Sequence, residues 1–235
     1  MSTPNHLILN AADGTQLHAY TAFPEHTDLA PGIILFQEAF GVNQHIRDVA
    51  DRLAEAGYAV IAPELFHRTA APGEEFSYDN FPAVMPHYQA ITTEGLTQDM
   101  QAAYDWLLGQ SQVINDKIGA IGFCLGGQVA FVANAVLPLQ AAVSYYGGGL
   151  HTRAGLAPQL HAPHLFYWGG QDQHISKEQR EQIVQAVDEA GKPYINAVIS
   201  YADHGFNCDA RASYNPAAAA EAWAMTLAFF KQKLG

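Results

Sequence analysis

The apolar positions of this chain change period repeatedly, and each change marks an element. Alternating segments at residues 6–10 and 16–23 flank Ala-Asp-Gly-Thr and predict a hairpin. Residues 32–37, Gly-Ile-Ile-Leu-Phe-Gln, form a nearly unbroken apolar run, as a parallel strand needs when both its faces are covered. Ile46, Val49, Ala50 and Leu53 then recur at helical spacing, with Gly57 where a helix stops. A second buried strand follows at 58–63, and Leu96, Met100, Ala103 and Leu107 mark another helix. A third core strand at 117–123 leads into a helix of small residues over 126–136. The alternation continues with strands at 141–146, 164–168 and 194–200 and helices at 178–190 and 216–231. Such alternation predicts an α/β fold: one domain over 1–235, with a mostly parallel sheet of roughly eight strands and helices on both faces.

Residues 67–88 break the pattern. Pro72, Gly73, Pro82 and Pro86 lie among scattered aromatics, a poor recipe for long regular structure. Such a stretch reads either as a lid or pocket wall or as a plain surface loop.

Composition narrows the picture. A chain of 235 residues, 49% hydrophobic and 14% charged, has ample material for a core and little room for disorder. Eleven basic against 23 acidic residues leave a net charge of −12, spread along the chain, and that surface repels phosphate backbones. No nucleic-acid partner is expected. No apolar run approaches membrane-spanning length, so no membrane partner is expected either. The opening Met1-Ser-Thr-Pro-Asn-His lacks the basic and apolar stretches of a secretory signal. With only Cys124 and Cys208 there is no disulfide framework. A reducing cytoplasm is the predicted setting, with Cys124 a free thiol.

The chemistry gathers around Ile118-Gly-Ala-Ile-Gly-Phe-Cys124-Leu-Gly-Gly: an apolar strand, then Gly122-x-Cys124-x-Gly126, then the small-residue helix. A sharp strand-to-helix turn needs small residues on both sides of the nucleophile, because neighbouring backbone presses close. It also sets the sulfur at a helix N-terminus, where thiolate is favoured and the Leu125 N–H faces a developing oxyanion. Such a nucleophile needs a base and an orienting acid, in the order nucleophile, acid, histidine. Asp172 follows the strand at 164–168 through Gly169-Gly170-Gln171, and His204 lies just past the strand at 194–200. Both fall at strand C-termini, where open α/β sheets bind ligands. Singly, Asp172 reads as well as a helix cap and His204 as a turn histidine. Glu38 follows the strand at 32–37, and the Ala39 N–H is the predicted second oxyanion donor.

These segments resemble the dienelactone hydrolase family, the carboxymethylenebutenolidase-like branch of the α/β-hydrolase fold. The likeness runs through Phe36-Gln-Glu38-Ala-Phe-Gly-Val-Asn, Ala62-Pro-Glu-Leu-Phe, Gly122-Phe-Cys124-Leu-Gly-Gly, Tyr145-Tyr-Gly, Gly169-Gly-Gln-Asp172 and His204-Gly-Phe. It implies that Cys124 attacks a carbonyl, His204 is the base, Asp172 orients it, and Glu38 meets the thiol at rest and helps take its proton once substrate is bound. A negative neighbour disfavours thiolate and so protects the sulfur from oxidation.

The resemblance also implies two arginines that hold a substrate carboxylate, one four residues after the histidine and one in the segment after the fourth strand. Here the first position is Cys208, with Arg211 three residues beyond, and Arg68 is the only arginine between His67 and Tyr88. The bidentate fork looks incomplete. The expected substrate is therefore a small ester or lactone, not dienelactone in particular, and the expected assembly a monomer or homodimer. No cofactor is expected. His161, His164 and His174 form no evident ligand set, so no metal is expected, and Cys208 is read as an inert, partly buried thiol. A thiol sensor on the same fold, a thioesterase and a haloacid dehalogenase are the alternatives.

Overall fold

The computed structural model describes residues 5–235 as two compact units, divided between Ile118 and Gly119. Eight strands are present among the described residues.

In the first unit, β1 (His6–Asn10) and β2 (Gln16–Ala22) form the expected hairpin. β2 runs antiparallel to β4 (Ala59–Pro63), which in turn pairs in parallel with β3 (Ala30–Phe36). Between them α1 (Gln44–Glu55) is started by Asn43, whose side chain accepts from the Ile46 N–H. Its His45, Ile46, Val49, Ala50, Leu53 and Ala54 are buried, and Gly57 turns the chain at φ +99°, which glycine adopts without strain.

The segment predicted to be irregular contains a helix after all, α2 (Phe81–Ala90). Pro82 stands in its first turn, where a missing N–H costs nothing, and Pro86 lies inside. Only Val84 of this helix is buried, so no apolar stripe announced it. α3 (Thr93–Leu108) is capped by Thr92 and buries the predicted Leu96, Met100, Ala103 and Leu107.

β5 (Val113–Phe123) carries the chain into the second unit, where β5, β6 (Ala141–Tyr145), β7 (His164–Gly169) and β8 (Tyr194–Ile199) pair in parallel in that order. β5 to β7 read as continuous apolar runs and are buried along the residues that pair, whereas β8, at one edge, is half exposed. α4 (Leu125–Val136) packs on β6, α5 (Lys177–Glu189) starts from a Ser176/Gln179 capping box, and α6 (Pro216–Leu234) packs on β6 and β7. A 3-10 segment, Leu150–Gln159, was not anticipated. Its one inner proline and mixed polarity carry no helical stripe.

Candidate active site

Strand β5 ends at Phe123 and α4 begins at Leu125, so Cys124 is the whole turn. Its backbone sits at φ 53°, ψ −114°, outside the regions a side chain prefers. The glycines explain how the chain tolerates this. A Cβ on Gly122 would collide with the Gly126 carbonyl, and one on Gly127 would come within 2.8 Å of the Tyr145 carbonyl. The Cys124 N–H donates to the Tyr145 carbonyl at 3.0 Å, and the Gly127 N–H closes the first helical turn on the Cys124 carbonyl, also at 3.0 Å. The Leu125 N–H is in that first turn, among the amides that have no acceptor within the helix.

A network behind α4 holds this turn from within. Ser144 on β6 donates to the Gly127 carbonyl at 2.5 Å, so its oxygen accepts from His164 Nε2 at 2.8 Å. Nδ1 of His164 accepts from the Asn134 amide at 3.2 Å, and Asn134 also pairs with both backbone groups of Ala162. Burial drives the His164 pKa down to about 3, which keeps the ring neutral. Both its nitrogens are spent inside the protein.

Cys124, His204 and Asp172 come together in the second unit. Nε2 of His204 lies 3.2 Å from Cys124 Sγ, and Nδ1 lies 2.8 Å from Asp172 Oδ2. Cys124 is partly exposed, whereas His204 and Asp172 are buried. The loops that deliver them follow β7 and β8 directly. Gly169 and Gly170 let these two strand ends approach, since a Cβ on Gly170 would come within 2.5 Å of Ser200 Cα. Asp172 Oδ1 accepts the N–H groups of His174 and Ile175 at 2.7 and 3.1 Å, so both carboxylate oxygens are engaged.

Burial raises the Asp172 pKa, but the hydrogen bond and charge of His204 and the two backbone donors outweigh it and hold the carboxyl below its ordinary value. Burial likewise opposes charge on His204. The charge on Cys124, the hydrogen bonds to Asp172 and Cys124, and the Asp172 charge together win, and raise the His204 pKa to about 10. The arrangement therefore favours an imidazolium against the Asp172 carboxylate, and an imidazole so placed can exchange a proton with sulfur, water or a leaving oxygen.

Glu38 and Ala39 belong to the first unit. Both are buried just past β3, where Gln37 accepts from the Leu65 N–H and donates to the Glu38 carbonyl. Cys208 is fully buried rather than partly so. Arg68 is committed elsewhere: its guanidinium is bidentate to Asp99 at 2.8 and 2.9 Å and its Nε donates to Asp13 at 2.9 Å. Arg211 lies near the candidate triad in sequence and in space. Its guanidinium lies over Gly205, the residue after His204, so closely that a Cβ there would meet it at 2.5 Å. His161 is exposed, and His174 meets the His204 ring edge-on, with centroids 5.1 Å apart. Sequence reasoning passed over Tyr146, whose buried ring lies 5.1 Å from His204. Its signal was a pair of tyrosines before a glycine at a strand end.

The dienelactone hydrolase family model matches residues 17–234. A Synechocystis protein named "Putative carboxymethylenebutenolidase" is 34% identical over 232 residues, covering 93% of each chain. The carboxymethylenebutenolidase of Pseudomonas putida is 33% identical over 182 residues, 76% of each. Among solved structures, a dienelactone hydrolase-like promiscuous phosphotriesterase from metagenomic libraries superposes with a TM-score of 0.86 at 25% identity, over 98% of both chains.

Proposed function

This chain belongs to the dienelactone hydrolase family, and we propose that it hydrolyses a small lactone or carboxylic ester through a thioester on Cys124. The observation that carries this reading is the relay of 3.2 and 2.8 Å from Cys124 through His204 to Asp172. The chain is an α/β-hydrolase and a lactone- or ester-hydrolysing enzyme by family. The match over 17–234 supports treating 1–235 as one hydrolase domain.

The Cys124 thiolate attacks the acyl carbonyl, and the Leu125 N–H takes the oxyanion. As the carbonyl re-forms, the C–O bond to the leaving oxygen breaks and the His204 imidazolium gives that oxygen its proton. A lactone opens in this step to a hydroxy thioester. Neutral His204 then takes a proton from water, the hydroxide adds to the thioester, and the thiolate departs, leaving the acid. Asp172 keeps Nδ1–H of His204 bound throughout, so that Nε2 is the nitrogen that works. For Ala39 as second oxyanion donor and Glu38 as the acid that meets the thiol, the support is the sequence pattern after β3.

Hydrolysis of a panel of activated esters and small lactones by wild type and Cys124→Ala tests the reading. It predicts turnover by wild type and a loss of about 10⁴-fold or more in the variant. Equal rates in both would refute it. Halide release from haloacids, or oxidation of Cys124 with no Cys124-dependent hydrolysis, would instead favour the dehalogenase or the sensor.

A further inference from the structure

Among the described residues, two that are not glycine have a positive φ: Cys124 at 53° and Tyr146 at 37°. The first is the nucleophile's turn. The second has no such explanation. Left-handed backbone strains a bulky residue. Glycine would adopt it freely, and the backbone bond made there, Tyr146 N–H to the Tyr167 carbonyl at 2.8 Å, needs no side chain. A large ring kept at a strained position points to work done by the ring.

The ring's neighbours say what that work is. It is fully buried and packs tilted against His204 with centroids 5.1 Å apart, edge-on to Phe206 at 5.2 Å, and within 6.2 Å of Phe123. Phe123 precedes the nucleophile, and Phe206 follows the base by two residues. Asp172 fixes one atom of the imidazole, Nδ1, which still leaves the ring free to tilt. Tyr146 closes that freedom from one flank, and the edge of His174 adds a second contact. The residue before it, Tyr145, holds the Cys124 N–H through its carbonyl and is itself anchored by its hydroxyl to Thr226 at 2.7 Å. Two successive residues thus refer the nucleophile's backbone and the base's ring to the same strand end.

We propose that Tyr146 is a positioning residue that holds the His204 imidazole in line with the Cys124 sulfur, and that its left-handed backbone serves to aim its ring there. The inference rests on the Cys124–His204 reading and adds a part to it. Its chemistry is aromatic packing, so the ring is needed more than the hydroxyl.

The test compares Tyr146→Leu, which keeps an apolar filler but no ring, with Tyr146→Phe, which keeps the ring. In folded Tyr146→Leu, kcat falls roughly 10–100-fold with KM little changed, as for a small misplacement of a reacting group. The pH titration of the His204 ring, followed by NMR, also moves, because the imidazole no longer faces the sulfur squarely. Tyr146→Phe restores both. A folded Tyr146→Leu with wild-type kcat and a wild-type His204 titration would overturn the inference. If Tyr146→Leu does not fold, Phe206→Leu decides: it loosens the ring that backs Tyr146, and undiminished kcat there would equally overturn it. Failure of the parent reading looks different, since wild type would then show no dependence on Cys124 at all.

Discussion

Asp172 grips His204 at 2.8 Å while accepting two backbone N–H groups on its other oxygen. The carboxylate is therefore held by its own loop and cannot swing, and the imidazole inherits that orientation. Asp172→Asn should keep the fold. Its amide, however, would present a donor or a weaker acceptor to Nδ1 and favour the tautomer with the proton on Nε2. A drop in kcat on the order of 10²–10⁴-fold is expected, measured on any ester the wild type turns over. A variant with near wild-type kcat would remove Asp172 from the mechanism.

His204 supplies a pH signature. Its folded pKa, about 10, stands above the ordinary 6.5. Stability drawn from its ion pair is then fully present below about 6.5 and is lost as pH rises through about 10. Much of the elevation comes from charge on Cys124, so Cys124→Ala should bring the His204 titration, followed by NMR of the ring protons, back down. An unchanged titration in that variant would mean that the sulfur carries no charge in the resting protein.

Beneath the turn, Ser144 satisfies both the Gly127 carbonyl and Nε2 of a neutral, fully buried His164. Ser144→Ala leaves the buried Nε2 of His164 without a partner and removes the second donor to the Gly127 carbonyl, and the orphaned ring nitrogen costs about 1–3 kcal/mol. Urea denaturation should show a lower midpoint at unchanged slope. Wild-type stability would mean that water replaces the hydroxyl there.

Arg211 offers a fourth handle. Its guanidinium lies against Gly205, the residue after His204. Arg211→Ala should raise KM for substrates that bear a free carboxylate by roughly tenfold and leave neutral esters almost untouched. An equal effect on both classes would show that Arg211 merely braces the loop.

How much of this was legible in the sequence depended on how local each signal was. The strands and the helices α1, α3, α4, α5 and α6 carry their period in their own residues, and the bounds predicted for the strands and for α4, α5 and α6 fall within a few positions of those observed. Gly122 and Gly126 around Cys124 announced the turn for the same reason. α2 escaped because it buries only Val84 and because both its prolines read as breakers, although Pro82 sits where a first turn accepts it and Pro86 lies inside the helix. The Ser144–His164–Asn134 network joins three elements, so no spacing reveals it. Arg211 returns to Gly205 through turns at Cys208 and Arg211, which offset counting from His204 does not anticipate. Tyr146 is marked by a backbone angle, and angles of that kind are not written in residue type.

The most direct test of the whole account is to mix the protein with an activated ester, quench in acid within the first turnovers, and weigh the peptide that contains Cys124. The account predicts a mass gain equal to the acyl group, on Cys124 alone, that accumulates in wild type and is absent from Cys124→Ala. Brisk hydrolysis with no acyl group on that peptide, and undiminished in Cys124→Ala, would contradict it.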